Sequence, residues 1–294
     1  MKTILAKTIL VKNKYPQYWF GTDYNINLYR GCHHGCIYCD SRSECYQNDE
    51  FGTVKVKENA LDLLQKELPK KRSKGVVGLG AMSDTYNAYE KQLQITRNTL
   101  KLLRDYHFGV SIETKSDLVV RDIDLLLDIK KYNDVIVKFT ITTSHDELSK
   151  IIEPHVCLSS KRFEAMKTLS DAGIFTGVLL HPILPFITDD EENIKQIVYL
   201  AYIHGAKFIH TYFGVTLRDR QRDYFYQQLD FHFPGLKEKY IKRYGGRYQC
   251  FSKNKKHLEY IFQKECQKYG LLYKMEDIIK AYQTKEHIEQ LTLF

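Results

Sequence analysis

Residues 31–39 read Gly31-Cys32-His33-His34-Gly35-Cys36-Ile37-Tyr38-Cys39 and place three cysteines at the spacing C-x3-C-x2-C. No fourth cysteine follows at a comparably short interval. Three thiolates can hold an iron–sulfur cluster and leave one iron open to another ligand, whereas four protein ligands suit electron transfer or structural support. The spacing therefore favours a cluster that takes part in chemistry.

Around this segment, extended apolar runs alternate with helical patterns from residue 23 to residue 215. Such alternation predicts an α/β fold in which parallel strands are joined by helices. The predicted strands are 24–28, 76–80, 108–114, 135–142, 175–181 and 208–213. The predicted helices are 56–68, 90–106, 121–132, 160–172 and 189–204. We interpret the six units as a partial (β/α)6 TIM-type barrel, although periodicity alone also fits an open doubly wound sheet.

Polar residues follow the predicted strands at their carboxyl ends, where both architectures place an active site. The cysteine segment comes after the first strand. The other polar positions, in chain order, are Ser83, Asp84, Thr114, Lys115, Ser116, Thr140, Thr142 and His181. We expect one edge of the sheet to collect all of them.

The chain divides into a lead-in at residues 1–19, a core domain at 20–215 and a mostly helical extension at 216–294. Between residues 217 and 294, 16 Lys and Arg stand against 10 Asp and Glu, and nine tyrosines are interleaved with them. Such a mixture could contact phosphates and stack on bases. The favoured interpretation is a solvated basic helical face whose tyrosines pack on its other side.

The bulk properties predict a cytoplasmic protein. Lys7 and Lys12 interrupt any signal-peptide core, and no run of about 18 uncharged apolar residues appears, so no membrane span is expected. Seven cysteines, an odd number, argue against a disulfide framework. A zinc site completed by Cys45, His33 or His34 remains an alternative to the cluster.

The cysteine segment resembles the signature of the radical S-adenosylmethionine (SAM) superfamily, including an aromatic residue before the third cysteine. Over residues 20–215 the likeness is closest to its spore photoproduct lyase-like, or DNA repair photolyase-like, branch. Further segments that carry it are Ser83-Asp84, Thr114-Lys115-Ser116, residues 121–126, Glu153-Pro154, Lys161-Arg162 and Ala172-Gly173.

The resemblance implies a mechanism. Three cysteines hold a 4Fe–4S cluster, SAM chelates the fourth iron, and reductive cleavage of SAM gives a 5′-deoxyadenosyl radical that takes hydrogen from a substrate. It also implies a reducing partner of the flavodoxin or ferredoxin type. Carried over by position, the cluster ligands are Cys32, Cys36 and Cys39. The implied SAM contacts are Tyr38, Ser83, Lys115 and Thr140, with Asp84 supporting the serine loop.

Two positions depart from the branch. Ala81 stands where the lyase has its hydrogen-donating cysteine, and Asp40 stands where it has a tyrosine, which argues against repair of spore photoproduct by that route. The substrate stays unassigned, with nucleic acid weakly favoured. His181 is interpreted first as a structural hydrogen-bonding residue and Tyr212 as core packing. An alternative function is a redox-sensing nucleic-acid-binding protein that holds a cluster or zinc without SAM turnover.

Overall fold

The computed structural model describes residues 1–48 and 50–283 and shows a mixed α/β chain built around a large parallel sheet. The strands in these residues are β1 (Lys2–Ile4), β2 (Val11–Lys12), β3 (Tyr24–Ile26), β4 (Tyr29–Arg30), β5 (Lys55–Lys57), β6 (Val76–Leu79), β7 (Gly109–Thr114), β8 (Val135–Thr140), β9 (Phe175–Leu180), β10 (Phe208–Thr211), β11 (Gly214–Thr216) and β12 (Gln249–Phe251). The α-helices are α1 (Ala60–Glu67), α2 (Glu90–Leu93), α3 (Ile95–Asp105), α4 (Ile123–Lys130), α5 (Asp146–Ile152), α6 (Ser159–Asp171), α7 (Glu191–Ile203), α8 (Asp219–His232), α9 (Leu236–Tyr244), α10 (Lys255–Tyr269) and α11 (Met275–Tyr282).

The large sheet contains all six predicted strands, in the order β10-β9-β8-β7-β6-β3-β2 across the described residues. Strands β3, β6, β7, β8, β9 and β10 are parallel, and β2 adds to one edge in the antiparallel direction. The parallel strands follow one another across the sheet in chain order. A doubly wound sheet would reverse that order at a switch point, so this alternative is excluded.

Alternation of side chains along the strands gives the sheet two different faces. Val110 and Ile112 of β7 belong to the main apolar core together with side chains of α3 and α4. The intervening residues, Ser111 and Glu113, point to the opposite face, where Lys138 of β8 donates to both of them. The second face therefore carries polar groups toward the carboxyl edge of the sheet.

Two predicted helices differ from the structure. The segment 56–68 begins as strand β5, which pairs with β1 and β4, and becomes helical only at Ala60. The segment 90–106 is two helices, because Gln94 adopts a left-handed conformation (φ 52°) between α2 and α3. The Glu90 carboxylate accepts a hydrogen bond from the Thr96 amide at 3.0 Å and so stabilises the start of α3.

The two outer segments pack onto the core. In the lead-in, β1 pairs with β5 and β2 with β3. In the extension, α10 packs against α7, and α11 contacts the segment Pro16–Tyr18. Tyr240 and Tyr244 of α9 are buried while Lys242 and Arg243 between them are exposed, as packed tyrosines under a solvated basic face require, whereas Tyr248 and Tyr260 elsewhere in the extension are exposed. Residues 284–294 of the predicted extension lie outside the described residues.

Among the described residues, no helix combines the length and apolar character that a membrane span requires.

Candidate active site

A cavity of about 420 Å³ opens at the carboxyl edge of the parallel strands. Every residue predicted to bind the cluster or SAM lines it: Cys32, Cys36, Cys39, Tyr38, Ser83, Asp84, Lys115 and Thr140. The volume lies within the range of small-molecule sites. The structure thus brings together residues from four separate strand ends in one concave site.

Hydrogen bonds on both sides hold the cysteine loop in place. Gly31, at its start, has φ 76°, and a side chain there would meet the Thr53 carbonyl oxygen at 2.6 Å, so only glycine fits. The Cys32 amide donates to the Phe51 carbonyl at 2.9 Å, and the Ile37 amide to the Ile152 carbonyl at 3.0 Å. These contacts direct the three thiols toward the cavity.

The three thiols are buried beside a positive charge. Burial raises the pKa of all three, to about 11 for Cys32, and the Lys115 ammonium opposes this rise at Cys36 and Cys39. Within residues 1–48 and 50–283, no three His, Cys, Asp or Glu side chains are arranged to hold one ion. In a cubane each thiolate binds a different iron, so its sulfurs lie farther apart than around one zinc ion.

Cys45, the suggested fourth zinc ligand, does not line the cavity. Its side chain is exposed, and its Sγ lies 3.1 Å from Arg218 Nη1 and 3.2 Å from Ser43 Oγ. The structure therefore offers no support for a zinc site that joins Cys45 to the three clustered thiols.

Asp84 connects two of the strand ends that form the cavity. Its Oδ1 accepts from the Thr114 hydroxyl at 2.8 Å, and its Oδ2 accepts from the Lys115 amide at 2.7 Å. Next to it, the Ser83 hydroxyl donates to the Gly31 carbonyl at 2.6 Å. These bonds fix Ser83 and Lys115 relative to the cysteine loop.

Lys115 provides a positive charge beside the thiols. Burial alone would lower its pKa, but the charges of Cys36, Glu153, Asp84 and Cys39 outweigh burial and raise the pKa above its ordinary value. Its Nζ lies 6.0 Å from the centre of the Tyr38 ring, and no acidic partner forms an ion pair with it in the described part of the chain. The ammonium is therefore free to bind an anionic ligand.

A buried network joins Tyr38 to Thr140 across the cavity wall. The Tyr38 hydroxyl donates to Glu153, which forms an ion pair with Arg162. Arg162 Nη1 then donates to the Thr140 carbonyl at 2.9 Å. Glu153 and Arg162 stand out in the sequence only through the family resemblance, and their connection to Tyr38 and Thr140 was not predicted.

The extension also reaches the cysteine loop. Gln221 of α8 is fully buried, and its Nε2 donates to the Tyr38 carbonyl at 3.0 Å and to the Thr216 carbonyl at 2.7 Å. Asp40 Oδ1 lies 3.3 Å from the Thr216 hydroxyl and 3.4 Å from Arg218 Nε. The side chain that replaces the lyase tyrosine therefore contacts the extension.

A second polar group lines the cavity, and the sequence did not indicate that its members lie together. It consists of Trp19, Glu113, His181 and His210, with Lys138 buried beside Glu113. His181 was expected to be a structural hydrogen-bonding residue, but its ring makes no hydrogen bond to any described residue. Alternation along β7, β8 and β10 was the signal that could have identified Glu113, Lys138 and His210.

Tyr212 and Ala81 line the same cavity. The Tyr212 ring packs against Phe251 with 5.4 Å between ring centres, which agrees with the packing interpretation. Its hydroxyl, however, is buried and has no hydrogen-bond partner in the described residues. Ala81 contributes no exchangeable hydrogen to the site.

Comparison with protein families gives a match to the radical SAM superfamily over residues 26–198. Among curated relatives, an uncharacterised protein of Methanocaldococcus jannaschii is 39% identical over 196 residues, which cover 66% of this chain and 71% of the relative. An uncharacterised protein of the Acidianus two-tailed virus is 31% identical over 210 residues, covering 66% and 67% of the two chains.

Among solved structures, spore photoproduct lyase complexed with dinucleoside spore photoproduct superposes with a TM-score of 0.69 at 16% identity, over 92% of this chain and 80% of the lyase. A radical SAM methyltransferase from Kitasatospora setae, with tryptophan and a SAM analogue bound, gives a TM-score of 0.55 at 12% identity, over 82% and 51% of the two chains. At identities this low, the similarity shows the fold alone. The fold of the chain is similar to that of spore photoproduct lyase, as the sequence resemblance predicted.

Proposed function

The chain belongs to the radical SAM superfamily and is a radical SAM enzyme, and from this premise we propose that Cys32, Cys36 and Cys39 hold a 4Fe–4S cluster at which SAM is cleaved. When bound, the cluster supplies the electron that splits SAM into methionine and a 5′-deoxyadenosyl radical. The observation that carries the proposal is the presence, in one cavity, of three thiols and an ammonium that has no ion-pair partner among the described residues.

The side chains around the thiols match the chemistry of SAM. Lys115 binds the carboxylate of the methionyl group, since a charge-assisted hydrogen bond is stronger than a neutral one. Ser83 and Thr140 offer hydroxyls to the ribose or to the methionyl group. The Tyr38 carbonyl accepts from the adenine amine, because its oxygen has a second lone pair beside the one that Gln221 uses. Asp84 holds Lys115 and Thr114 in position.

We also propose that the parallel sheet forms a partial (β/α)6 barrel, with residues 20–215 as the catalytic unit and the extension from residue 216 as its cover. The order of strands supports this. The apolar cluster shared by Cys36, Tyr38, Phe225 and Tyr240 supports a role for the extension in holding the cysteine loop.

The substrate remains unassigned. The departures at Ala81 and Asp40 argue against the reaction of spore photoproduct lyase, although that protein's complex with a dinucleoside supports a nucleic-acid substrate for a related fold. Binding of nucleic acid by the basic extension and reduction by a flavodoxin or ferredoxin stay predictions from the sequence. A gel-shift titration of RNA and DNA at several salt concentrations would test the first of these.

The proposed function is tested by anaerobic reconstitution, reduction with dithionite in the presence of SAM, and chromatography. We expect iron and sulfide in a near 1:1 ratio and formation of 5′-deoxyadenosine. Protein that is fully loaded with cluster but forms no 5′-deoxyadenosine would contradict the proposal. A redox-sensing protein would bind the cluster or zinc without this product, so the same measurement separates the two functions.

A further inference from the structure

The floor of the cavity carries polar side chains that the proposed cluster and SAM contacts do not use. We call Trp19, Glu113, His181 and His210 the floor group. All four line the cavity. Trp19 comes from the lead-in, Glu113 from β7 and His210 from β10, and His181 directly follows β9. The floor group is therefore assembled from distant parts of the chain at the site where a substrate must approach SAM.

Glu113 presents a hydrogen-bond acceptor to the cavity. Its Oε1 accepts from the indole nitrogen of Trp19 and, at 3.0 Å, from Lys138 Nζ. Burial opposes ionisation of Glu113, but Lys138 and Trp19 outweigh burial and lower its pKa. Its second oxygen, Oε2, makes no hydrogen bond to any described residue and is not sealed from the cavity. This oxygen is available to a ligand that donates a hydrogen bond.

The two histidines lack partners in a buried setting. Their rings are nearly perpendicular, with 6.0 Å between their centres. His181 Nδ1 and His210 Nε2 make no hydrogen bond to any described residue and are not sealed from the cavity, whereas the other nitrogen of each ring is buried without a partner. A ligand in the cavity can therefore bond to the open nitrogen of each ring.

The charges around the floor group favour an uncharged ligand. Glu113 and Lys138 form an ion pair and act on both imidazoles with opposite sign, so the pair offers neither a cation nor an anion an unopposed counter-charge. Lys138 itself is 1% exposed and donates to Ser111 and Glu113, so its ammonium cannot reach a ligand. A free anion would meet the Glu113 carboxylate instead. What fits is a neutral group that donates to Glu113 and accepts from an imidazole N–H.

We propose that the floor group binds the edge of a neutral nitrogen heterocycle in which a ring N–H lies next to a carbonyl, as in uracil, thymine and guanine. The ring N–H donates to Glu113 Oε2, and the adjacent carbonyl accepts from His181 or His210. Because neutral imidazole has one N–H donor, each histidine can satisfy one carbonyl. The inference rests on the proposed function, because this heterocycle is taken to be the substrate from which the 5′-deoxyadenosyl radical removes hydrogen.

Trp19 is the only tryptophan in the chain, so intrinsic fluorescence reports directly on the floor group. The reconstituted protein is titrated with uridine and with guanosine, and emission is excited at the red edge of the indole band. We expect a saturable change with at least one of them. 3-Methyluridine, which lacks the ring N–H, and cytidine, whose ring nitrogen is an acceptor, should bind at least tenfold more weakly.

Variants test which side chains bind the ligand. Glu113→Gln and at least one of His181→Gln and His210→Gln should weaken binding at least tenfold, whereas His145→Gln, at an exposed histidine outside the cavity, should bind as wild type. Glu113→Gln leaves the buried Lys138 ammonium without a charged partner, which could prevent folding. If the Glu113→Gln protein does not fold, the two histidine variants decide the result. The absence of a saturable change, equal binding of 3-methyluridine, or unchanged binding by both histidine variants would overturn the inference.

Binding and SAM cleavage are measured independently, so their failures can be told apart. Formation of 5′-deoxyadenosine without nucleoside binding would refute only the heterocycle site. Nucleoside binding without 5′-deoxyadenosine would support the site and refute the proposed function.

Discussion

Glu153 and Arg162 form a fully buried ion pair in which Glu153 Oε2 lies 2.6 Å from Arg162 Nη2. The pair is not isolated, because Glu153 also accepts from the Tyr38 hydroxyl and Arg162 donates to the Thr140 carbonyl. It therefore connects the cysteine loop to the end of β8. Tyr38 and Thr140, which are both assigned to SAM binding, are therefore held by this ion pair. Neither Glu153 nor Arg162 itself lines the cavity.

Arg162→Met should lower the free energy of unfolding by about 3–5 kcal/mol, because it leaves the Glu153 carboxylate buried without its partner. Urea denaturation of the two proteins measures the difference. The matched control is Lys161→Met, at a neighbouring lysine that is 55% exposed and paired with Glu164, for which we expect a change of at most about 1 kcal/mol. Equal losses in the two variants would show that the buried pair has no special role.

Cys36→Ala should abolish the cluster and all SAM cleavage, because two remaining thiolates cannot hold a cubane that already lacks a fourth protein ligand. Iron content and visible absorbance after anaerobic reconstitution provide the measurement. Cys45→Ala is the control, since Cys45 is exposed and does not line the cavity. Loss of iron in the control variant would indicate that Cys45 is a ligand after all.

The sheet could be predicted from the sequence because each strand is a short apolar run and a helix separates each run from the next. A helix between two strands makes the strands parallel, and parallel strands end at the same edge, which carries the site. The break at Gln94 was not predictable, because it depends on Glu90 bonding to the Thr96 amide six residues away. The cluster and SAM positions came from a local motif and from strand ends. Lys138 and Gln221 were missed because their roles arise from contacts between distant segments.

Lys115→Met should weaken SAM binding by about tenfold or more, because a charge-assisted hydrogen bond contributes about 1.5–3 kcal/mol. Equilibrium dialysis with the reconstituted, unreduced protein measures the affinity, and iron content should stay near wild type. Lys150→Met is the control, at a lysine on α5 that is 53% exposed and pairs with Glu147. Unchanged affinity in Lys115→Met would reject the assignment of this lysine to the SAM carboxylate.

Gln221→Leu should destabilise the cysteine loop, because the Tyr38 and Thr216 carbonyls lose a shared buried donor. An unpaired buried polar group costs about 1–3 kcal/mol. We expect a lower urea midpoint and faster loss of cluster absorbance on exposure to a chelator. Gln227→Leu, at an exposed position on the same helix, is the control. Identical cluster stability in the two variants would mean that α8 does not support the loop.

The stability of the protein should fall as the pH drops from about 6.5 to about 4, in part because of the two cavity histidines. Burial is the largest cause that lowers the pKa of His181 to about 3 and of His210 to about 4, from 6.5. His210, Lys115 and Lys138 lower the pKa of His181 further, Lys138 lowers that of His210, and Glu113 opposes the shift in both. In this range the unfolded chain binds protons that the folded chain does not, so lowering the pH favours unfolding.

The double variant His181→Gln/His210→Gln removes both groups, and its free energy of unfolding should therefore depend less on pH between 6.5 and 4 than that of wild type. Urea titrations at several pH values are compared for cluster-free proteins, because acid also protonates thiolates that would hold the metal. The control His145→Gln, at an exposed histidine on the surface, should follow wild type. The free energy of unfolding of the double variant could instead depend on pH as steeply as that of wild type. The two imidazoles would then take up protons as readily in the folded as in the unfolded protein, and burial would not lower their pKa.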